Sequence, residues 1–135
     1  MAAADIKSLL GESAVALILG NDLSAHRLSY RLLKDYGIGS LLCGPRENLL
    51  NLLNLECGFL QLDYVRSSRL AIEQLNDFAA ENSEYILILL VSDAKGKSFV
   101  SQSATDLESK YIISDNTDIE TLDIIKSIRQ LPYER

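Results

Sequence analysis

Cysteine, histidine and clustered positive charge are scarce in this chain, and each scarcity removes a class of function. Two cysteines, Cys43 and Cys57, stand in 135 residues. They lack metal-type spacing and read as reduced thiols of a cytoplasmic protein, not as a disulfide framework or a zinc site. One histidine, His26, leaves any triad built on Ser24 or Cys43 without an obvious base partner. Beside Arg27 and one turn into a helix, it is expected on the surface. The net charge of −6, from 13 Lys and Arg against 19 Asp and Glu, argues against nucleic acid as the main partner, and no basic cluster reverses that. The longest apolar runs, Ala14–Leu19 and Tyr85–Val91, are far too short to cross a bilayer. The first residues carry one lysine and no apolar signal core, so neither a membrane nor a secretory route is expected.

What the chain does have is an ordinary globular balance, 47% hydrophobic and 24% charged, in a length that suits one domain. A domain of this size buries roughly 68% of its unfolded surface, enough for a core without staples. No internal repeat or low-complexity linker divides it.

The organising stretch is Ala14 to Gly44. Ala14–Gly20 is an uninterrupted apolar run, the pattern of a strand covered on both faces. It stops at Gly20-Asn21-Asp22-Leu23-Ser24, where Asp22 or Ser24 can accept from the unpaired N–H groups of a following helix. Ala25, Leu28, Leu32, Leu33 and Tyr36 then make one apolar stripe. Gly37 supplies a left-handed C′ residue and Ile38 the apolar residue that often follows it. Ser40–Cys43 is the next strand. The unit is βαβ, with a right-handed crossover expected, and its first turn lies where open α/β sheets place ligands.

Further along, Glu47–Glu56 predicts a short helix with Leu49, Leu50, Leu52 and Leu53 on its apolar face. Phe59–Tyr64 reads as a third strand. Ser67 is a plausible N-cap for a helix over Ser68–Glu81, with Ala71, Leu75, Phe78 and Ala79 inward. Tyr85–Val91 is a second fully apolar, central strand and ends at Ser92-Asp93-Ala94. Lys95–Ser109 is less periodic and predicts short helical pieces around Phe99, Val100 and Leu107. Tyr111–Ile113 reads as a short strand. Ala2–Leu10 is weakly helical. Thr117 and Glu120 form a capping box that opens a last helix with Leu122, Ile124, Ile125 and Ile128 inward. Strands alternating with helices throughout predict a three-layer α/β fold, a parallel sheet with helices on both faces.

The Gly20–Ser24 turn is the best candidate for chemistry, because the amides and dipole of a helix N-terminus favour an anion. The plainer alternative is that Asp22 and Ser24 only cap the helix, and Asp22 would itself repel a phosphate. The second and third glycines of a dinucleotide fingerprint are missing, as is the phosphate-cradling Gly-x-x-x-x-Gly-Lys-Ser/Thr motif. Asp93 ends a central strand, as metal-binding carboxylates often do, or serves as a turn residue. Asp22 with Asp93, or Asp93 with Asp115, could form an acidic metal site resembling a response-regulator pocket. The paired acidic residues and the late lysine of that pattern are not in place. Asp115, Asp118, Glu120 and Asp123 read most simply as a solvated first turn.

Several stretches in order resemble one family. Ile6–Leu10 with Ala16–Tyr30, then Tyr36-Gly37-Ile38-Gly39-Ser40, then Leu87–Asp93, Phe99–Ser101 to Asp106-Leu107, and Tyr111–Ile113 resemble the opening of ATP-grasp carboxylate–amine ligases of the D-aspartate ligase type. The resemblance covers nearly the whole chain and rests on order and spacing, since each motif alone is short. It implies that residues 1–135 are a single Rossmann-like pre-ATP-grasp domain, the N-terminal part of a longer ligase. The substrate-facing loops would be Gly20, Asn21, Asp22, Leu23 and Ser24, with Ser92 and Asp93. ATP and Mg²⁺ would be held by ATP-grasp domains that follow in the same longer chain. The partners would be those domains and a small carboxylate or amine. This stretch would bind no cofactor and perform no catalysis alone. The contrasting expectation is a stand-alone α/β interaction or regulatory module, dimeric through an edge strand or the last helix.

Overall fold

The computed structural model describes residues 14–46, 48, 57–107 and 109–113. The expected helices over Ala2–Leu10, within Glu47–Glu56 and after Thr117 lie outside the described residues. Five strands form one parallel sheet: β1 (Ala14–Leu19), β2 (Gly39–Gly44), β3 (Gly58–Gln61), β4 (Ile86–Val91) and β5 (Ile112–Ile113). Their spatial order is β3-β2-β1-β4-β5. Among the described residues three α-helices accompany them, α1 (Leu23–Arg31), α2 (Ser68–Glu81) and α3 (Ala94–Leu107). This is the α/β, Rossmann-like sheet order. Among the described residues no helix is long and apolar enough to cross a membrane.

The apolar runs that lack a polar face do so because both faces of their strands are covered. On one face Ala14, Ala16 and Ile18 of β1, with Leu42, Ile88 and Leu90, pack against Ala25, Leu28 and Leu32 of the α1 segment. The alanines at 14, 16 and 25 let the helix lie close to the sheet. On the other face Leu17, Leu19, Cys43, Leu87, Leu89 and Val91 meet Ala71, Leu75 and Ala79 of α2 and Phe99, Val100 and Leu107 of α3. Leu17, Ile18, Leu89 and Leu90 are fully buried, each contributing roughly 1.5–3 kcal/mol.

α1 runs into a single π-helical turn, Leu32–Tyr36, closed by Gly37 at φ +69°. The Ile38 N–H bonds the Leu32 carbonyl at 3.1 Å and the Gly37 N–H the Leu33 carbonyl at 3.0 Å, each one residue wider than the paired bonds of a Schellman cap, as the π turn requires. The wider turn rotates the register, so Leu33, expected on the inward stripe, is exposed while Leu32 is wholly buried. His26, expected on the surface, is buried instead. It lies on the same helix as buried Ser29, whose hydroxyl hydrogen-bonds that of Ser40 on β2.

Two further expectations need correction. The third strand stops at Gln61 and not Tyr64: Leu62 adds one bond to the Gly44 carbonyl (2.7 Å), after which residues 64–66 turn. Asp63 Oδ1 drives that turn by accepting from the Arg66 N–H at 3.1 Å. Residues 94–107 form one helix and not short pieces. Small residues Gly96 and Ser103 complete its buried face beside Phe99, Val100 and Leu107, so the apolar spacing looks broken in sequence although the packed face is continuous.

A candidate ligand-facing rim at the strand ends

After β1 the chain leaves toward one face of the sheet, and after β4 toward the other. β1 and β4 are neighbours, so the order reverses between them and their carboxyl ends border the crevice where open α/β sheets bind ligands. Gly20–Asp22 and Ser92–Asp93 are the two bends at this point. They lie on the same rim, as the sequence reading requires.

The bends interlock. The Ser92 N–H donates to the Leu19 carbonyl at 2.9 Å and the Gly20 N–H to the Cys43 carbonyl at 2.8 Å, so both extend the sheet by one residue. The Ser92 hydroxyl donates to the Leu19 carbonyl at 3.2 Å and to Asp22 Oδ1 at 3.3 Å, one proton shared by two acceptors. Gly20 sits at φ +132°, and a Cβ there would lie 1.9 Å from Ser92 Oγ. Only glycine admits both the backbone angle and the serine.

Each bend caps its helix with its own carboxylate. Asp22 Oδ1 accepts from the Ala25 N–H of α1 at 2.9 Å. Asp93 Oδ1 accepts from the Gly96 N–H of α3 at 2.6 Å, and Asp93 Oδ2 from the Tyr64 hydroxyl at 2.9 Å. The capping alternative for Asp22 is therefore what the structure holds, and Ser24 is exposed and does not cap. Leu23 is exposed too. Asn21 turns away from the crevice: its Nδ2 donates to the Arg46 carbonyl at 2.9 Å, and Asn48 donates to its carbonyl at 3.0 Å. Of the seven residues singled out in sequence, Gly20, Asp22, Ser92 and Asp93 come together, while Asn21, Leu23 and Ser24 do not join them.

Tyr64 is the residue sequence reasoning missed, because it was assigned to the end of a strand. The signal was present in Asp63 and Ser67, two capping types that bracket a turn. Tyr64 is buried, and burial, then the charge and hydrogen bond of Asp93, push its hydroxyl above its ordinary range. It stays protonated and donates. Burial holds His26 below its ordinary 6.5, with the nearby Asp22 charge opposing that shift. Burial pushes the Cys43 thiol up to about 12, so it is a neutral packing group and no nucleophile. Cys43 and Cys57 are not bridged.

The rim therefore carries carboxylates that no ion pair neutralises among the described residues, and its serine hydroxyl on a carboxylate, Ser92 on Asp22, is shared with the Leu19 carbonyl. The first-turn N–H groups of Ala25 and Gly96 are already taken by carboxylates. Such a surface is suited to bind a group with N–H donors or positive charge. Among the described residues no group of three or more His, Cys, Asp or Glu side chains is placed to hold a metal ion, and Asp115 lies outside those residues. Comparison with family models, with curated proteins and with solved structures returned no match for this chain.

Proposed function

We propose that this domain is the substrate-side, non-catalytic part of a cytoplasmic ATP-grasp carboxylate–amine ligase, with ATP and Mg²⁺ handled by ATP-grasp domains of the same longer chain. The observation that supports this reading is the meeting of the two quoted bends, Gly20–Asp22 and Ser92–Asp93, at the β1/β4 crevice, joined through Ser92 and Asp22. The resemblance assigns substrate contact to those same bends. Of the two substrates, the amine is the better complement to a rim of unneutralised carboxylates. The reaction, which joins a carboxylate to an amine through an acyl phosphate, would take place against this rim and not within it. Titrating the 135-residue chain with ATP and Mg²⁺ in a calorimeter tests the reading. No binding is expected, and tight Mg²⁺-dependent binding would overturn it.

A second reading, a stand-alone interaction module, is favoured by one feature. Leu23, Tyr30 and Leu33 are exposed on the α1 segment beside exposed Arg27, Arg31 and Lys34, and Lys34 Nζ lies 5.6 Å from the centre of the Tyr30 ring. Apolar side chains interleaved with cations suit a protein surface. Sedimentation equilibrium separates the two: a concentration-dependent dimer abolished by Tyr30→Glu supports the module, and a monomer removes self-association from it.

A further inference from the structure

A groove of about 280 Å³ opens between the 64–66 turn, α2 and α3. We propose that it binds a small monocarboxylate with an apolar body. This site adjoins the strand-end rim through Tyr64, whose hydroxyl bonds Asp93, and does not rest on the ligase reading.

Four residues of α3, Lys95, Ser98, Phe99 and Gln102, line one side at spacings i, i+3, i+4 and i+7, a single helical face. Tyr64, Val65 and Ser68 line the other. The floor is aromatic: Phe99 and Tyr64 are buried, with ring centres 5.8 Å apart and planes tilted by 36°. Val65 stands half exposed as an apolar wall. Tyr64 contributes only its ring, because its hydroxyl is committed to Asp93.

Each polar group can donate a hydrogen bond. Lys95 supplies a cation, Ser68 and Ser98 hydroxyls, and Gln102 an amide. None of them has an ion pair with another described residue. Among the described residues no carboxylate lines the groove, although the chain carries a net charge of −6. One cation ringed by donors above an apolar floor matches one negative charge on a hydrophobic body. The volume sits at the lower edge of small-molecule pockets, roughly 300 Å³. It admits an aromatic or branched acid of amino-acid size and excludes a nucleotide.

Phenylacetate is a suitable probe, and its neutral analogue phenylacetamide the control. Titration followed by amide chemical shifts should give saturable changes confined to residues 64–68 and 95–102 with the acid, and none with the amide. Lys95→Gln should weaken phenylacetate by at least about tenfold, the loss of a charge-assisted bond. Ser98→Tyr, which keeps the charge and fills the groove, should abolish the response. Both substitutions are at exposed positions, and unchanged signals from the sheet verify the fold. Absence of saturable shifts, shifts elsewhere, equal binding of phenylacetamide, or an unaltered affinity in Lys95→Gln would each overturn the proposal.

Discussion

Asp22 and Asp93 occupy equivalent places, each ending a bend after an interior strand and capping the next helix, yet they are committed to different degrees. Asp93 is half-buried and uses both oxygens, one on the Gly96 N–H and one on the Tyr64 hydroxyl. Asp22 is exposed and uses one oxygen for both Ala25 and Ser92, and no described donor meets its Oδ2. Position in the fold thus does not decide role. Asp93 holds two structural donors, one on each oxygen, whereas both donors on Asp22 share one oxygen.

The strongest challenge to this contrast is to force the two bends apart. Gly20→Ala places a Cβ against Ser92 at a disfavoured backbone angle, and should cost roughly 2–6 kcal/mol in urea unfolding. A loss under about 1 kcal/mol would mean that Ser92 gives way to an added Cβ at little cost. Next, Asp93→Ala should cost roughly 2–4 kcal/mol, the cap plus a buried Tyr64 hydroxyl left without an acceptor. In a Tyr64→Phe background the same change should fall to the cost of the cap alone, and a double-mutant cycle reads that coupling. Asp22→Ala should cost only about 1 kcal/mol. If it matched Asp93→Ala, the two carboxylates would be equivalent after all.

The smallest effect concerns His26, which sits behind the Asp22 bend. Its folded pKa lies below the ordinary 6.5 because burial disfavours the cation. As pH falls through about 6.5 the unfolded chain takes up the proton first, so stability is full above that pH and declines below it. Urea midpoints should drop between about pH 7.5 and about pH 5.5, and the part of the drop owed to His26 should vanish in His26→Gln. A slope identical in both proteins would refute this.

The parts legible in the sequence were those whose signal is local. β1 and β4 announce themselves as apolar runs with no polar face, and Asp22, Ser67 and Gly37 cap where their types predict. The same rim was reachable because parallel neighbours must end on one side. What escaped was non-local or off-period. The π turn shifts Leu33 outward by changing the helical repeat, and α3 packs through Gly96 and Ser103, whose small side chains leave no hydrophobic signature. The bond between Tyr64 and Asp93 joins residues 29 apart, and no periodicity records it. His26 is buried with its helix mates Ala25 and Ser29, which a lone polar letter does not reveal.

The bond from the Ser92 hydroxyl to the Leu19 carbonyl spans 73 positions, and that separation has a kinetic meaning. A ribosome emits β1 long before its partner β4 exists, so one side of that greasy ribbon waits uncovered while about seventy more residues are translated, at roughly 5–20 per second. Pairing over so long a separation is slow to form, and the crevice cannot close before Ser92 has emerged.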